Sequence, residues 1–205
     1  MIQLFHAKSS NRKIAQCFHV NWLFALFVLL VCLTGATHLS AQKRVRFPGP
    51  KIHYRSADGR YEVYNVDPSA DDQTHKILLY DRVQKNSREL LSYGRHVDVL
   101  WSPTGSRLAI TDFAGSNLAT VLVYDFSGGY EPVDLDFELR KRMPSDRDVF
   151  ENHHCYVEAR GWLDSNRLKL KVWGYGDRDP SGFTLWLEYQ IGSGIRVLGR
   201  KRRVS

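Results

Sequence analysis

Hydrophobic and polar positions alternate along residues 97–111, VDVLWSPTGSRLAIT, in a way that predicts a strand, a tight turn and a second strand. Val97, Val99 and Trp101 alternate with Asp98 and Leu100, the period-two pattern of a strand that places one row of side chains on a core. Ser102-Pro103-Thr104-Gly105 then reverses the chain. Proline presets φ at the second position of a type I turn, and serine and glycine suit its first and fourth. Leu108 and Ile110 resume the alternation on the return.

The same signal recurs on both sides of this hairpin. Residues 51–55 and 60–66 predict strands around the turn Ser56-Ala57-Asp58-Gly59, with Tyr61 and Val63 on one face. Strands follow at 75–82, with the run Ile77-Leu78-Leu79-Tyr80-Asp81, and at 89–93. Downstream, residues 120–126 end in Val123-Tyr124-Asp125 before the Ser127-Gly128-Gly129 turn and a return at 131–135, so both Tyr-Asp pairs precede a turn. A more worn copy runs through 156–162, the turn Leu163-Asp164-Ser165-Asn166, and 167–173 with Leu168, Leu170 and Val172 on one face. It continues through 183–189, the Gly192-Ser193-Gly194 turn and 195–198.

Gly59 and Gly105 stand 46 residues apart and Trp101 and Trp162 stand 61 apart. A repeat of four strands takes roughly 40 to 45 residues. The wider interval implies an insertion, supplied by the charged segment 136–152, DFELRKRMPSDRDVFEN. This segment reads either as a short helix ending before Pro144, with Phe137 and Leu139 on the core, or as a solvated loop.

The expected fold class is therefore all-β, with about three four-stranded antiparallel units over residues 51–199. The central hairpin, Trp101-Ser102-Pro103-Thr104-Gly105-Ser106-Arg107-Leu108-Ala109-Ile110, resembles the W-S-P-D-G-x-x-[LI]-A pattern of WD40-like propeller repeats found in TolB-type periplasmic proteins and prolyl-oligopeptidase propellers. Thr104 replaces the usual aspartate, Arg55 stands where the first copy would have its tryptophan, and the third turn lacks glycine. The resemblance implies about three propeller-like blades in an open or partial propeller, and says little about ligand. Closed propellers have four to eight blades. Three blades would thus curl into a compact sandwich, pair with a second copy as a homo-oligomer, or sit against a partner, because open sheet edges invite pairing. The layout is also similar to small exported bacterial proteins of unknown function that carry a GYGD-x-DP-x-GF segment like residues 174–183.

Residues 1–41 change the picture of where the chain works. They contain no acidic residue, begin with Lys8, Arg12 and Lys13, and pass through an apolar stretch at 20–31 to the small residues of 34–36 and 39–41. This is the pattern of a secretory signal peptide. The alternative is an uncleaved membrane anchor at residues 20–36, a run short of the roughly 20 residues that span a bilayer. Lys43, Arg44 and Arg46 follow it closely and weaken the charge asymmetry that would orient an anchor. Cys32 follows Val31 where a lipobox has a small residue. An exported, periplasmic or secreted location is expected. Residues 42–50, basic and broken by Pro48 and Pro50, read as a linker, and residues 200–205 as a basic tail.

Of the 205 residues, 29 are basic and 22 acidic, a net charge of +7. Without Lys8, Arg12 and Lys13 the body keeps 26 basic residues against 22 acidic ones, a charge of +4. That balance is too mild for the basic stripe of a nucleic-acid binder, and no nucleic acid is expected as partner. Of the three cysteines only Cys155 lies outside residues 1–41, so a processed body would hold itself together without an internal disulfide.

The candidate chemistry is sparse. His153-His154-Cys155 is the densest group of metal-capable side chains, but neighbours on a strand point to opposite faces. Tyr175, Asp177, Arg178 and Asp179 occupy a hairpin loop longer than a tight turn requires, and tyrosine with arginine suits partner recognition, beside the simpler reading of an Asx-stabilised turn. The loop lacks the alternating acids of an EF-hand. Neither G-x-S-x-G nor H-E-x-x-H occurs, and Gly174-x-Gly176 and Gly192-x-Gly194 lack a third glycine, so no catalytic residue, cofactor or metal is expected. Asp98 and Asp112 flank the central hairpin as the one pair of acids to weigh. Trp101, Trp162, Trp173 and Trp186 suggest a carbohydrate platform, but at strand spacing they read as core. The basic runs 43–46 and 200–203 suggest docking on an anionic surface or simply solvated ends. These features point to an exported, non-enzymatic β-repeat module that binds a protein or cell-envelope component. A hydrolase or metal-dependent enzyme with a site between blades, and a membrane-tethered accessory protein, are the alternatives.

Overall fold

The alternating segments form strands in a computed structural model that describes residues 42–50, 53–69, 74–143, 150–151, 153–177 and 179–202, the last two by backbone alone. In chain order these are β1 (Val45–Phe47), β2 (Tyr54–Arg55), β3 (Tyr61–Val66), β4 (His75–Asp81), β5 (Asn86–Tyr93), β6 (Val97–Trp101), β7 (Arg107–Asp112), β8 (Leu118–Asp125), β9 (Val133–Asp134), helix α1 (Leu135–Arg142), β10 (His154–Trp162), β11 (Arg167–Tyr175), β12 (Phe183–Gln190) and β13 (Gly194–Arg202). Strands β2-β3-β4-β5 make a four-stranded antiparallel sheet. The others make a nine-stranded mixed sheet in the order β1-β6-β7-β8-β10-β11-β12-β13, with β9 on β8. This larger sheet has two antiparallel limbs, joined where β8 and β10 run parallel through Cys155↔Leu118 and Tyr156↔Ala119.

The limb built on β6, β7 and β8 is buried on both faces. Val97, Val99, Trp101, Leu108, Ile110 and Tyr124 share one core with Tyr61, Val63, Ile77 and Leu79 of the four-stranded sheet. Leu100, Ala109, Val121 and Val123 share a second core with Val157, Leu170, Val172, Leu185 and Leu187 of the β10–β13 limb. All five residues of β6 are buried, so the alternation of residues 97–101 does not separate a core side from a solvent side. The polar member of the strand, Asp98, is satisfied by Arg46 of β1 through Nε at 2.7 Å and Nη2 at 3.1 Å.

The internal repeat is written in hydrogen bonds. In the first two hairpin turns the serine amide donates to the carbonyl five residues on, Ser56 to Tyr61 and Ser102 to Arg107, both at 2.9 Å. Each serine hydroxyl accepts the returning amide, from Tyr61 at 2.9 Å and from Arg107 at 3.1 Å. In the third turn Asp164 takes that part, accepting the amides of Asn166 and Arg167 at 2.8 Å each. Gly105 is required by its φ of +78° and because a Cβ there would stand 2.7 Å from the Asp58 carboxylate of the neighbouring turn. Tryptophans tie successive units together: Trp101 Nε1 donates to the Tyr54 carbonyl at 3.1 Å, and Trp162 Nε1 to the Leu100 carbonyl at 3.2 Å. The Tyr-Asp signals hold as turn caps, Asp81 accepting the amides of Val83 and Gln84 and Asp125 that of Ser127.

Three expectations are corrected. Residues 42–50 are not a simple linker: β1 pairs with β6, and Gln42 brackets the Trp162 backbone, accepting its N–H at 2.6 Å and donating to its C=O at 2.7 Å. Residues 200–205 do not begin as a free tail, since β13 reaches Arg202 opposite Phe183. The insertion does form a helix, capped by Asp134, but it is Leu135 and Leu139 that enter the core, while Phe137 is 63 % exposed. The proposed signal or anchor at 1–41 and Pro144 lie outside the described residues. Among the described residues no helix is long and apolar enough to cross a membrane.

Replacing Trp162 by Phe removes the indole bond to the Leu100 carbonyl and part of a buried ring, a loss of about 1–3 kcal/mol. Urea denaturation should show a lower midpoint with an unchanged slope. Stability should also depend on acid. Burial pushes the Asp81 carboxyl up, but the Gln84 amide, the Arg60 guanidinium and the Val83 amide outweigh it and hold it below the ordinary value. Asp125 is likewise held low, where burial is outweighed by the Ser127 hydroxyl and amide and by Arg107. Because the folded values lie below the unfolded ones, this stabilisation is complete above the ordinary carboxylate range and is lost as pH falls through the folded values. A pH series of denaturation curves should show stability falling below about pH 4, and Asp81→Asn should shrink that fall.

Candidate functional site

Among the described residues the β10–β13 limb is covered on one face only. Cys155, Val157 and Ala159 of β10, Leu168, Leu170 and Val172 of β11, and Phe183, Leu185 and Leu187 of β12 point into the core. Strand alternation therefore sends His154, Tyr156 and Glu158, then Lys169, Lys171, Trp173 and Tyr175, then Thr184, Trp186 and Glu188 to the opposite face. On that face the cross-strand partners His154↔Tyr175 and Tyr156↔Trp173 stack, with ring centroids 4.1 Å and 4.3 Å apart. Lys171 Nζ lies 4.9 Å from the centre of the Trp173 ring and Lys169 Nζ 4.7 Å from that of Trp186. The result is a row of half-buried rings with ammonium groups laid over them.

Two carboxylates anchor this face from below. Glu158, 8 % exposed, accepts from Trp173 Nε1 at 2.5 Å and from Arg160 at 2.9 Å. Glu188, 4 % exposed, accepts from Arg196 on both oxygens at 3.1 Å, with Arg167 3.8 Å away. The Trp173 ring is thereby held in one orientation by a nearly buried partner, with Tyr156 packed on the β10 flank.

On the β12 flank of Trp173 the surface opens into a depression of about 360 Å³, lined by Lys171, Trp173, Gly174, Tyr175, Pro180, Ser181, Gly182, Phe183 and Thr184. Glycine at 174 lets β10 and β11 approach, because a Cβ there would fall 1.9 Å from the His154 carbonyl oxygen. The 176–182 loop folds back on itself through the Asp179 carbonyl, which accepts from the amides of Gly176 at 3.3 Å and Gly182 at 2.9 Å. Of the loop residues singled out from sequence, Tyr175 lines the depression and is 45 % exposed. Asp177 stands exposed beyond it, Asp179 shapes the turn through its backbone, and Arg178 lies outside the described residues.

The tryptophans divide. Trp101 and Trp162 are core, as their spacing predicts, but Trp173 and Trp186 are on the outer face, which corrects the reading of all four as core. The signal was present: Leu168, Leu170 and Val172 set the core row of β11, so Trp173, one position out of phase, had to face away. His154 and Cys155 point to opposite faces as adjacent strand residues do, with His154 Nδ1 3.2 Å from the Tyr156 hydroxyl. Among the described residues no group of three or more His, Cys, Asp or Glu side chains is placed to hold a metal ion. Asp112 pairs in register with Val97 and Asp98 with Thr111, so the two acids face opposite sides of the sheet and do not form a working pair. Burial raises the Asp112 carboxyl, one oxygen of which is enclosed without a hydrogen-bond partner.

Burial also pushes the Cys155 thiol up to about 12. At pH 8 such a thiol should alkylate slower than a free cysteine by a factor on the order of 10³. Peptide-mapped iodoacetamide labelling should leave Cys155 unmodified in the native protein and modify it fully in denaturant.

No protein-family model matches the chain. Among solved structures it is similar to Pyrococcus horikoshii acylaminoacyl peptidase, at a TM-score of 0.40 and 12% sequence identity, over 69% of this chain and 22% of that one. The chain thus spans less than a quarter of the length of that structure.

Proposed function

We propose that residues 42–202 are a three-unit, propeller-like β-repeat module that is exported and binds a cell-envelope component through the outer face of its β10–β13 limb. The observation that carries this reading is the half-buried row of His154, Tyr156, Trp173, Tyr175 and Trp186 on the one face of that limb no other element covers among the described residues. Rigid aromatic side chains give large contact area at low entropic cost, and a sheet face holds them in place better than a loop does. Propeller-like character is supported by the 46-residue spacing of Gly59 and Gly105, by the matched serine turns and by the indole bonds from each unit to the one before. Export is supported by the basic, then apolar, then small-residue order of residues 1–41.

Co-sedimentation tests the contact face. The purified protein should pellet with isolated envelope particles from its source cells, and Trp186→Ala should leave at least five times more of it in the supernatant. Protein that stays soluble, or a variant that pellets equally, overturns the reading. Intact mass of natively produced protein tests export: loss of about 40 residues is the expected result.

A further inference from the structure

We infer that the depression between β11 and β12 is a subsite for an acidic polysaccharide, a chain of sugar rings that carry carboxylates, and this rests on the envelope-binding reading above. The wall of the depression is apolar and fixed. Trp173 is pinned at Nε1 by the nearly buried Glu158 and backed by Tyr156, and Tyr175 is backed by His154. A pyranose ring presents C–H groups on its faces and hydroxyls around its edge, so it needs such a wall together with hydroxyl partners. Ser181 and Thr184 stand at the depression with hydroxyls able both to donate and to accept. A volume of about 360 Å³ lies at the small end of ligand sites and suits one or two sugar rings of a longer chain.

Charge selects the acidic class. Glu158 is taken up by Trp173 and Arg160, and Glu188 by Arg196 and Arg167. Lys169 and Lys171 lie over indole rings, in register opposite Glu188 and Glu158, and an ammonium group there can turn from its ring onto a ligand carboxylate. The face therefore carries Arg160, Arg167, Arg196, Lys169 and Lys171 against Glu158, Glu188 and Asp164, the last of which holds Arg167 Nε at 2.6 Å. Lys171 is the charged member of the depression's lining, while Asp177 stands outside it. A single-stranded nucleic acid also favours rings and cations, but it tracks a basic groove several nucleotides long, and the body's charge of +4 is mild.

Affinity electrophoresis of the full-length protein in gels containing polygalacturonate tests the inference, with pullulan as the neutral polysaccharide and oligothymidylate as the nucleic acid. Polygalacturonate should retard the protein and pullulan should not. Retardation should weaken at least fivefold with Lys171→Gln, which leaves the packing intact, and at least tenfold with Trp173→Ala, its fold checked by near-UV circular dichroism. Lys141→Gln, on α1, should have no effect, and added salt should weaken the retardation. Equal retardation by pullulan, tighter binding of oligothymidylate, no retardation by polygalacturonate, or indifference to Lys171→Gln each overturns the inference. If the protein still pellets with envelope particles in a Trp186-dependent way, only the ligand class has failed. If that pelleting is absent, the binding reading itself has failed.

Discussion

Two-sided burial of the β6–β8 limb is the constraint on which the other layers depend. A strand such as VDVLW cannot leave either row of side chains in water, so a sheet must cover each face. Each fully buried Val, Leu or Ile contributes about 1.5–3 kcal/mol relative to exposure, and both cores draw on this limb. The four-stranded sheet covers one side and the β10–β13 limb, with Leu135 and Leu139 of α1, covers the other. Burial of that kind must also satisfy the polar groups it encloses. Arg46 answers Asp98, and the Thr111 hydroxyl accepts the Ala159 amide at the point where β10 bulges.

The layers are held in register by bonds too specific for apolar contact alone. Indole N–H groups reach across each interface to a main-chain carbonyl, from Trp101 to Tyr54 and from Trp162 to Leu100. A buried tryptophan brings both area and a donor that must be used, so it fixes distance as well as adhesion. The N-terminal segment completes the arrangement by binding the edge beside β6 and the backbone of Trp162. Among the described residues no strand pairs with the opposite edge, β13, where Arg196 places a charge.

Because no described element covers the outer face of the β10–β13 limb, that face is a surface with the makings of a core. Trp173, Trp186 and Tyr156 would be ordinary interior residues if another sheet followed. Here they are shielded by each other and by Lys169 and Lys171, whose ammonium groups lie over the Trp186 and Trp173 rings. The buried carboxylates of Glu158 and Glu188 do not weaken that face, since each is enclosed by donors.

The nearly all-β character and the hairpin turns were legible in the sequence alone, but three separate antiparallel units were not found, since β8 and β10 pair in parallel within one nine-stranded mixed sheet. Alternation with a period of two and turn residues such as Ser102-Pro103-Thr104-Gly105 act over a few residues, and the conformations they favour are those observed. The parity of Leu168, Leu170 and Val172 even contained the outward direction of Trp173, although residue type argued for core. Only the tertiary structure decided that β6 is buried on both faces, that residues 45–47 join a sheet as β1, and that no described element covers the outer face of the β10–β13 limb. It also decided that Asp98 and Asp112 stand apart and that Tyr175 and Trp173 line one depression. Those outcomes depend on which sheet stacks on which, and stacking depends on contacts between residues far apart in the chain. No local periodicity can carry that information.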